Sequence, residues 1–282
     1  MSTDAVRAYY AGLGEREWAR LDNPDDGAVE FAVTCHALST YLPPHARVLD
    51  IGGGPGRYAI WLAQRGHRVS LADLSPEQLS IARTKIGQSG VEAMVEEIAV
   101  ADARDLSYWA DNSFDAVLSL GPFYHLPDPN DRNRAASELH RVLRVGGTAF
   151  VSLMPRYAFL RRTLDIPDER RHLAQPDFME RLLKDGVFIN DVPGRFTDAY
   201  GVLPEEVSPF FERHGFTTLA LLSAEGIAAN SQRALSELAT SEPAIYQAAS
   251  DVIIQTAGDP SILGMANHLL YAGKRIGASS EK

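Results

Sequence analysis

A glycine-rich loop at residues 52–56 constrains this chain more than any other feature. It lies in the segment VLDIGGGPGRYAIWLA, residues 48–63, where an apolar strand runs through four glycines and a proline into an apolar helix. Glycine allows tight turns and lets a ligand approach the backbone with no Cβ in the way, and the first turn of a helix presents free N–H groups. Asp50 stands just before the loop. The segment therefore predicts a ligand site made of bare backbone beside a carboxylate.

The segments around this loop alternate between strands and helices. The predicted strands are short, apolar and bounded by Gly, Asp or Pro, as is typical of strands buried on both faces. They are ARVLDIG, HRVSLAD, VEEIAVAD, FDAVLSLG and GGTAFVSLM, and the helices between them are GRYAIWLAQRG, SPEQLSIARTKIG and PNDRNRAASELHRVLRVGG. Ser75 is expected to cap the second helix, and Gly146–Gly147 to end the third. The alternation predicts an α/β, doubly wound fold with a parallel sheet and helices on both faces.

Further helical segments flank this core. Residues 3–42 read as two helices, and we expect residues 1–42 to form a helical cap. Residues 155–195 are predicted as two helices inserted after the fifth strand, forming a lid. A helix is predicted at TDAYGVLPEEVSPFFERHG, and a sixth and a seventh strand at FTTLALLSAEG and HLLYAGKR. With 282 residues, 45% of them apolar, residues 1–282 are expected to form a single domain.

The composition argues against several classes of partner. Lys and Arg number 27 against 37 Asp and Glu, a formal charge of -10, so neither nucleic acid nor an anionic membrane is an expected partner. No apolar run approaches the roughly 18 residues that span a bilayer, and the N-terminus lacks the basic and apolar regions of a secretory leader. The single cysteine, Cys35, excludes an internal disulfide. The histidines show no metal-ligand spacing. We therefore predict a cytoplasmic protein without a metal, either a monomer or a homodimer.

Two aspartates extend the predicted ligand site beyond the glycine loop. Asp73 ends the second predicted strand and Asp102 ends the third. Ligands of open parallel sheets bind beyond the C-terminal ends of the strands, where the strand order reverses. With neighbouring strands about 4.8 Å apart, the loop and the two aspartates would mark a line roughly 10 Å long, the length of a nucleoside. Asp73 would accept from two ribose hydroxyls, and Asp102 from an exocyclic amine of the base.

Two nucleoside cofactors compete for this arrangement. Read from Gly54, the loop gives GPGRYA, which matches the dinucleotide-binding pattern G-x-G-x-x-G/A, with Asp73 near the distance expected for a ribose-binding acid. However, Asp50 would then face a pyrophosphate and repel it. S-adenosylmethionine carries an ammonium and a sulfonium but no phosphate, so an acid beside the loop attracts it.

Several motifs in order resemble one family, the class I S-adenosylmethionine-dependent methyltransferases, and within it a bacterial small-molecule subgroup. They are LDIGGGPGR, LADLSPEQLSIAR, VADARDL, SFDAVLSLGPFYHL and RVLRVGGTAF. The resemblance implies a Rossmann-like seven-stranded sheet, mostly parallel with an antiparallel last strand. It implies S-adenosyl-L-methionine as cofactor and S-adenosyl-L-homocysteine as product. The cofactor-binding set that follows is Asp50, Gly52, Gly53, Gly54, Gly56, Asp73, Leu74, Asp102, Ala103 and Leu120.

Two residues are predicted to act on the acceptor. Methyl transfer requires acceptor, methyl group and sulfur to be aligned in a dry site, and it requires a base only when the acceptor must lose a proton. The methyl group should point from the end of the first strand towards the end of the fourth, where GPFYHL begins. His125 is therefore the predicted base or acceptor-positioning residue, and Tyr10 is predicted to cover the sulfonium or the acceptor. The alternatives are a histidine that only bonds loop backbone and a tyrosine that only packs between helices.

We therefore expect methyl transfer to a nitrogen, oxygen or carbon atom of a small-molecule acceptor. One alternative is an NAD-dependent oxidoreductase, which leaves Asp50 and Asp102 unexplained. The other is a non-catalytic S-adenosylmethionine-binding module, because an intact cofactor site does not by itself imply turnover.

Overall fold

The computed structural model describes residues 3–23, 27–190 and 196–277. Nine strands are found there: β1 Arg47–Ile51, β2 Arg68–Asp73, β3 Val95–Val100, β4 Phe114–Ser119, β5 Leu143–Pro155, β6 Val187–Phe188, β7 Ala199–Val202, β8 Phe216–Ser223 and β9 Leu269–Arg275. Twelve α-helices accompany them: α1 Thr3–Leu13, α2 Glu15–Arg20, α3 Ala28–Tyr41, α4 Arg57–Ala63, α5 Pro76–Ser89, α6 Pro129–Val142, α7 Arg156–Asp165, α8 Pro176–Glu180, α9 Pro204–Arg213, α10 Gln232–Ser241, α11 Pro243–Thr256 and α12 Pro260–Leu263. Among the described helices, none is both long and apolar enough to cross a bilayer.

Seven of these strands form the main sheet, in the order β3-β2-β1-β4-β5-β9-β8. Strands β1 to β5 are parallel, whereas β9 runs antiparallel to both of its neighbours. The predicted α/β fold and its antiparallel last strand are confirmed. The strand order reverses between β1 and β4, so the C-terminal ends of these two strands open a crevice where a ligand can bind.

Strand β1 shows why the sheet is buried on both faces. Successive side chains of a strand point to opposite faces, and both faces of β1 are covered. Leu49 and Ile51 pack into one apolar cluster with Val117, while Val48 packs into the other with Leu71. All five side chains are at most 1% exposed. This packing holds the end of β1, and with it the glycine loop, in a fixed position.

The predicted end of the third helix and the predicted start of the fifth strand are both wrong. Helix α6 ends at Val142, not at Gly146–Gly147, because the backbone from Leu143 onwards already belongs to β5 and pairs with β4. A Cβ on Gly147 would lie 2.9 Å from the carbonyl oxygen of Asp115 on β4. Gly147 therefore serves close strand pairing and does not end the helix.

The N-terminal cap and the insertion also differ in detail from the prediction. The first predicted helix is broken into α1 and α2 at Gly14, whose φ is +54°. The insertion contains a strand, β6, that pairs with β7 just beyond it, and β7 pairs with the end of β5. The insertion was therefore wrongly predicted to contain no strand. The helix predicted at TDAYGVLPEEVSPFFERHG is also wrong in its first part, which forms β7, and only its second part forms α9. Residues 191–195 of the predicted lid lie outside the described residues.

Candidate cofactor and acceptor site

A cavity of about 1270 Å³, open to solvent, lies at the C-terminal ends of β1, β2 and β4. Its wall contains nine of the ten predicted cofactor residues and both predicted acceptor residues: Asp50, Gly52, Gly53, Gly54, Asp73, Leu74, Asp102, Ala103, Leu120, Tyr10 and His125. Gly56 instead begins α4 with a φ of +83°, and a Cβ there would lie 3.3 Å from Leu71. Gly56 therefore allows α4 to pack closely against β2.

Asp50 carries a buried carboxylate in the wall of this cavity. The residue is 0% exposed, and within the described part of the chain neither carboxylate oxygen has a hydrogen-bond partner. Burial, with a smaller contribution from the charge of Asp73, raises the pKa of Asp50 to about 7, and the nearby backbone amide of Ala59 offsets this only in part. A buried acid without a partner is unfavourable in its charged form. The carboxylate therefore suits a cationic ligand group that approaches from the cavity.

Gly53 has no room for a side chain beside this carboxylate. A Cβ at this position would lie 2.5 Å from Leu71 and 2.6 Å from the carboxylate of Asp50. The loop is further held by Asp73, which accepts hydrogen bonds from the amides of Gly54 at 2.9 Å and Ser75 at 2.8 Å. Each oxygen of Asp73 thus accepts one amide hydrogen and keeps lone pairs for a ligand hydroxyl. Burial raises the pKa of Asp73.

Arg104, which the sequence reasoning missed, controls the charge of Asp102. Its guanidinium lies 2.6 Å from Asp102 and 2.7 Å from Asp131, and it also donates to the hydroxyl of Thr3 at the start of α1. Burial acts to raise the pKa of Asp102, but the hydrogen bonds from Arg104 outweigh it and hold that pKa below its usual value. The charged pair therefore joins the adenine end of the predicted site to the N-terminal cap.

Tyr10 and His125 meet in the wall of the cavity. The hydroxyl of Tyr10 lies 2.9 Å from Nε2 of His125, although 115 positions separate them in sequence. The other ring nitrogen, Nδ1, lies 2.7 Å from the hydroxyl of Thr197, a residue that the sequence reasoning did not consider. Burial lowers the pKa of His125 to about 3 and raises the pKa of Tyr10. Both side chains are therefore uncharged at neutral pH.

Beside this pair lies a buried charged cluster, defined here as Arg20, Glu30, Glu225 and His268. Arg20 lies 2.7 Å from Glu30, and Nδ1 of His268 lies 2.9 Å from Glu225 and 3.7 Å from Glu30. Burial acts to lower the pKa of His268, but the two glutamates raise it above the usual value. Sequence spacing indicated no metal-ligand set, yet folding brings three potential ligands within 4.8 Å of one another. Arg20 supplies a cation to this cluster.

Comparisons with known proteins assign the central part of the chain to a family. Residues 49–151 match the family described as methyltransferase domain. The chain is 41% identical over 102 residues to the methyltransferase GfsG of Streptomyces halstedii, which covers 36% of this chain and 35% of that protein. It is 37% identical over 149 residues to the ubiquinone biosynthesis O-methyltransferase of Xanthomonas axonopodis pv. citri, with coverages of 52% and 59%. The chain therefore spans less than two thirds of the length of either relative.

Solved structures share the fold. The 1,6-didemethyltoxoflavin-N1-methyltransferase of Burkholderia thailandensis, crystallised with 1,6-didemethyltoxoflavin and S-adenosylhomocysteine, matches with a TM-score of 0.57. The match covers 96% of this chain and 88% of that chain at 16% identity, and at this identity it concerns the fold alone. The sheet order, the glycine loop and the family match define a class I methyltransferase domain. Residues 49–151 form a domain of the class I S-adenosylmethionine-dependent methyltransferases, and the predicted family and cofactor are confirmed.

Proposed function

We propose that this protein transfers a methyl group from S-adenosylmethionine to a hydroxyl oxygen of a small-molecule acceptor. The observation that carries the proposal is the pair formed by Tyr10 and His125, whose 2.9 Å contact lies in the wall of the cavity that also contains the predicted cofactor residues. An acceptor hydroxyl must lose its proton during methylation, and a neutral imidazole is a suitable group to receive it.

The residues of the cavity fit the cofactor. The unpaired carboxylate of Asp50 is suited to its ammonium group, and the free lone pairs of Asp73 are suited to the ribose hydroxyls. Glycines 52–54 offer backbone close to the ligand. We assign Asp102 and Ala103 to the adenine ring, and Leu74 and Leu120 to its apolar surroundings.

The chain's own residues would position the acceptor and move its proton. When bound, S-adenosylmethionine supplies an electrophilic methyl carbon on a sulfonium, whose positive charge disappears as the methyl group is transferred. Nε2 of His125 receives the acceptor's proton, either directly or through the Tyr10 hydroxyl that it already contacts. Because burial keeps His125 uncharged, one of its ring nitrogens carries a lone pair at physiological pH. Burial also makes this nitrogen a weak base, so we expect it to take the proton only as the new oxygen–methyl bond makes the acceptor hydroxyl strongly acidic.

The N-terminal cap contributes to the wall of the cavity. Helix α1 brings Tyr10 to His125, and Phe196, beyond the insertion, lies 5.0 Å from the His125 ring and 6.1 Å from that of Tyr124. We therefore propose that the N-terminal cap and the insertion enclose the acceptor and exclude water. A concave site with a few convergent polar groups suits a small molecule.

Oxygen is favoured over nitrogen as the methylated atom. One relative is named as an O-methyltransferase and shares 37% identity over half of this chain. A neutral amine needs no base during methylation, so an amine acceptor would leave the contact between Tyr10 and His125 without a chemical role. N-methylation is the second candidate, since the structurally similar toxoflavin enzyme is named as an N1-methyltransferase.

The test uses the full chain with S-adenosylmethionine and a matched panel of phenols, alcohols and amines. Formation of S-adenosylhomocysteine and of methylated product is followed by mass spectrometry. We expect methylation of hydroxyl acceptors and a loss of about 100-fold in kcat for the His125→Gln variant, the usual contribution of a general base. The Tyr9→Phe variant is the matched control, since it removes the neighbouring hydroxyl on the same helix.

Two outcomes would contradict the proposal. Methylation of amines alone, with His125→Gln as active as the wild type, would establish N-methyl transfer. Tight binding of S-adenosylmethionine without turnover on any acceptor class would support the non-catalytic binding module.

A further inference from the structure

We infer that Thr197 is a positioning residue that fixes the tautomer of His125, placing the ring proton on Nδ1 so that Nε2 faces the cavity as a hydrogen-bond acceptor. The catalytic consequence of this inference rests on the proposed function, but the tautomer itself does not. Thr197 lies between the insertion and β7, at the first position of a segment predicted as a helix, and no feature of the sequence indicated a role for its side chain.

The argument starts from the single proton of the Thr197 hydroxyl. Its Oγ1 lies 3.0 Å from the backbone carbonyl oxygen of Asp198 and 2.7 Å from Nδ1 of His125. A carbonyl oxygen can only accept a hydrogen bond. When Thr197 donates its one proton to Asp198, Oγ1 can only accept from His125, so Nδ1 must carry the ring proton.

The rest of the chain of hydrogen bonds follows from this choice. Burial keeps His125 neutral, so the ring carries one proton and the other nitrogen has a free lone pair. With the proton on Nδ1, Nε2 accepts from the hydroxyl of Tyr10, 2.9 Å away. All three hydrogen bonds then run in one direction, from Tyr10 through His125 and Thr197 to the carbonyl of Asp198.

The opposite arrangement would remove the proposed base. If Thr197 donated to Nδ1, the carbonyl of Asp198 would lose this donor, and Nε2 would carry the ring proton. His125 would then present an N–H group to the cavity, which cannot receive a proton from an acceptor. The hydrogen bond made by one ring nitrogen thus decides the chemistry of the other.

The surroundings hold Thr197 in place for this role. Its side chain is buried, as is that of His125, with each residue 6% exposed. The carboxylate of Asp198 accepts from the amide of Asn190 at 2.9 Å, on the other side of the β6–β7 connection. The ring of Phe196 packs 5.0 Å from that of His125 and 5.7 Å from that of Tyr9. The residues beyond the insertion therefore deliver Thr197 to His125 in a fixed orientation.

The experiment that tests the tautomer uses nuclear magnetic resonance of the full chain labelled with ¹⁵N-histidine. Long-range ¹H–¹⁵N spectra distinguish a protonated ring nitrogen from an unprotonated one, and the His125→Gln variant identifies the signals of His125. We expect wild-type His125 to show a protonated Nδ1 and an unprotonated Nε2. A wild-type spectrum with the proton on Nε2 would overturn the inference, whatever the variants do.

Two substitutions of Thr197 then test its causal role. Thr197→Val keeps the shape of the side chain and removes the hydroxyl, whereas Thr197→Ser keeps the hydroxyl. We expect Thr197→Val to move the ring proton towards Nε2, and Thr197→Ser to retain the wild-type spectrum. If Thr197→Val leaves the tautomer unchanged, Thr197 does not fix it. If that variant does not fold, Thr197→Ala, which also lacks the hydroxyl, takes its place in the comparison with Thr197→Ser.

Activity provides a separate readout once an acceptor is known. A wrong tautomer removes the base without removing the histidine, so we expect kcat to fall at least about tenfold in Thr197→Val. The KM for S-adenosylmethionine should stay within about twofold, and Thr197→Ser should restore most of kcat. Loss of activity in His125→Gln with an unchanged tautomer in Thr197→Val would refute the role of Thr197 alone. The expected tautomers without any hydroxyl methylation would refute the proposed function alone.

Discussion

The buried carboxylate of Asp50 makes the stability of the ligand-free protein depend on pH. Asp50 has a pKa of about 7 in the folded chain, against 3.8 for an ordinary aspartate. Each pKa unit corresponds to about 1.4 kcal/mol, so ionising Asp50 in the folded protein costs about 4 kcal/mol in total. Below pH 3.8 Asp50 is protonated in both the folded and the unfolded chain, so the full stability is present. As the pH rises from 3.8 to 7, only the unfolded chain ionises, and the free energy of unfolding therefore falls until the folded chain ionises as well.

Asp50→Asn replaces the acid by an uncharged amide of nearly the same shape. The difference between the free energies of unfolding of variant and wild type should therefore shift by about 2 kcal/mol in favour of the variant between pH 5 and pH 7. This difference should become constant above pH 8. Urea denaturation of the ligand-free proteins, followed by circular dichroism at several pH values, measures this difference. A difference that stays constant with pH would refute the conclusion that this carboxylate is desolvated and unpaired.

The same substitution should have the opposite effect on ligand binding. S-adenosylhomocysteine carries the ammonium group that we assign to Asp50, and only the ionised acid attracts it. In the wild type we expect the affinity to fall by about fivefold from pH 7 to pH 6, as Asp50, with its pKa of about 7, takes up a proton. The Asp50→Asn variant should bind more weakly at pH 7 and show no such dependence. Calorimetric titration with S-adenosylhomocysteine at both pH values measures these affinities. Equal affinities of the wild type and the Asp50→Asn variant would exclude contact between Asp50 and the ligand.

Three further predictions concern residues of the same region. Gly53→Ala places a Cβ within 2.6 Å of the Asp50 carboxylate and should weaken S-adenosylhomocysteine binding at least about tenfold, while Gly12→Ala, with open space around its Cβ, should bind normally in the same titration. His125 has a pKa of about 3 against about 6.5 unfolded, so its contribution to stability is present above pH 6.5 and lost towards pH 3; the wild type should lose about 2 kcal/mol more than His125→Gln from pH 6.5 to pH 5 in urea denaturation. His268 has a raised pKa, so its contribution is full below pH 6.5 and lost at higher pH; the stability deficit of His268→Gln should be larger at pH 6 than at pH 9.

The strands around the cavity could be predicted because each carries its own local signal. The segment predicted as ARVLDIG contains β1, Arg47–Ile51, and HRVSLAD contains β2, Arg68–Asp73. These strands are continuous apolar runs that end in Gly or Asp, and burial on both faces requires such composition. Strands β6 and β7 carry no comparable signal. They have only two and four residues, and they exist through pairing with each other and with the end of β5.

The glycine loop and its acids could also be predicted, since a glycine-rich backbone beside Asp50 is typical of few sites other than a ligand site. His125 and Tyr10 could also be predicted as acceptor residues, because His125 follows a buried strand and Tyr10 lies on a helix of the N-terminal cap. Their contact spans 115 positions, and the contact of His125 with Thr197 spans 72. Likewise, the contacts of Arg104 with Asp131 and of Arg20 with Glu30 span 27 and 10 positions, and no local pattern indicates them.

The sequence by itself determined the class of fold, the place of the ligand loop and the identity of the acids that border it. These properties depend on the apolar pattern, on glycine and on the caps of single elements, all of which act over a few residues. Only the tertiary structure decided which residues surround Asp50, what His125 bonds to and how Thr197 reaches it. These features depend on the packing of α1 and of the segment before β7 over the sheet, and hydrogen bonds between such distant residues leave no periodic trace in the chain.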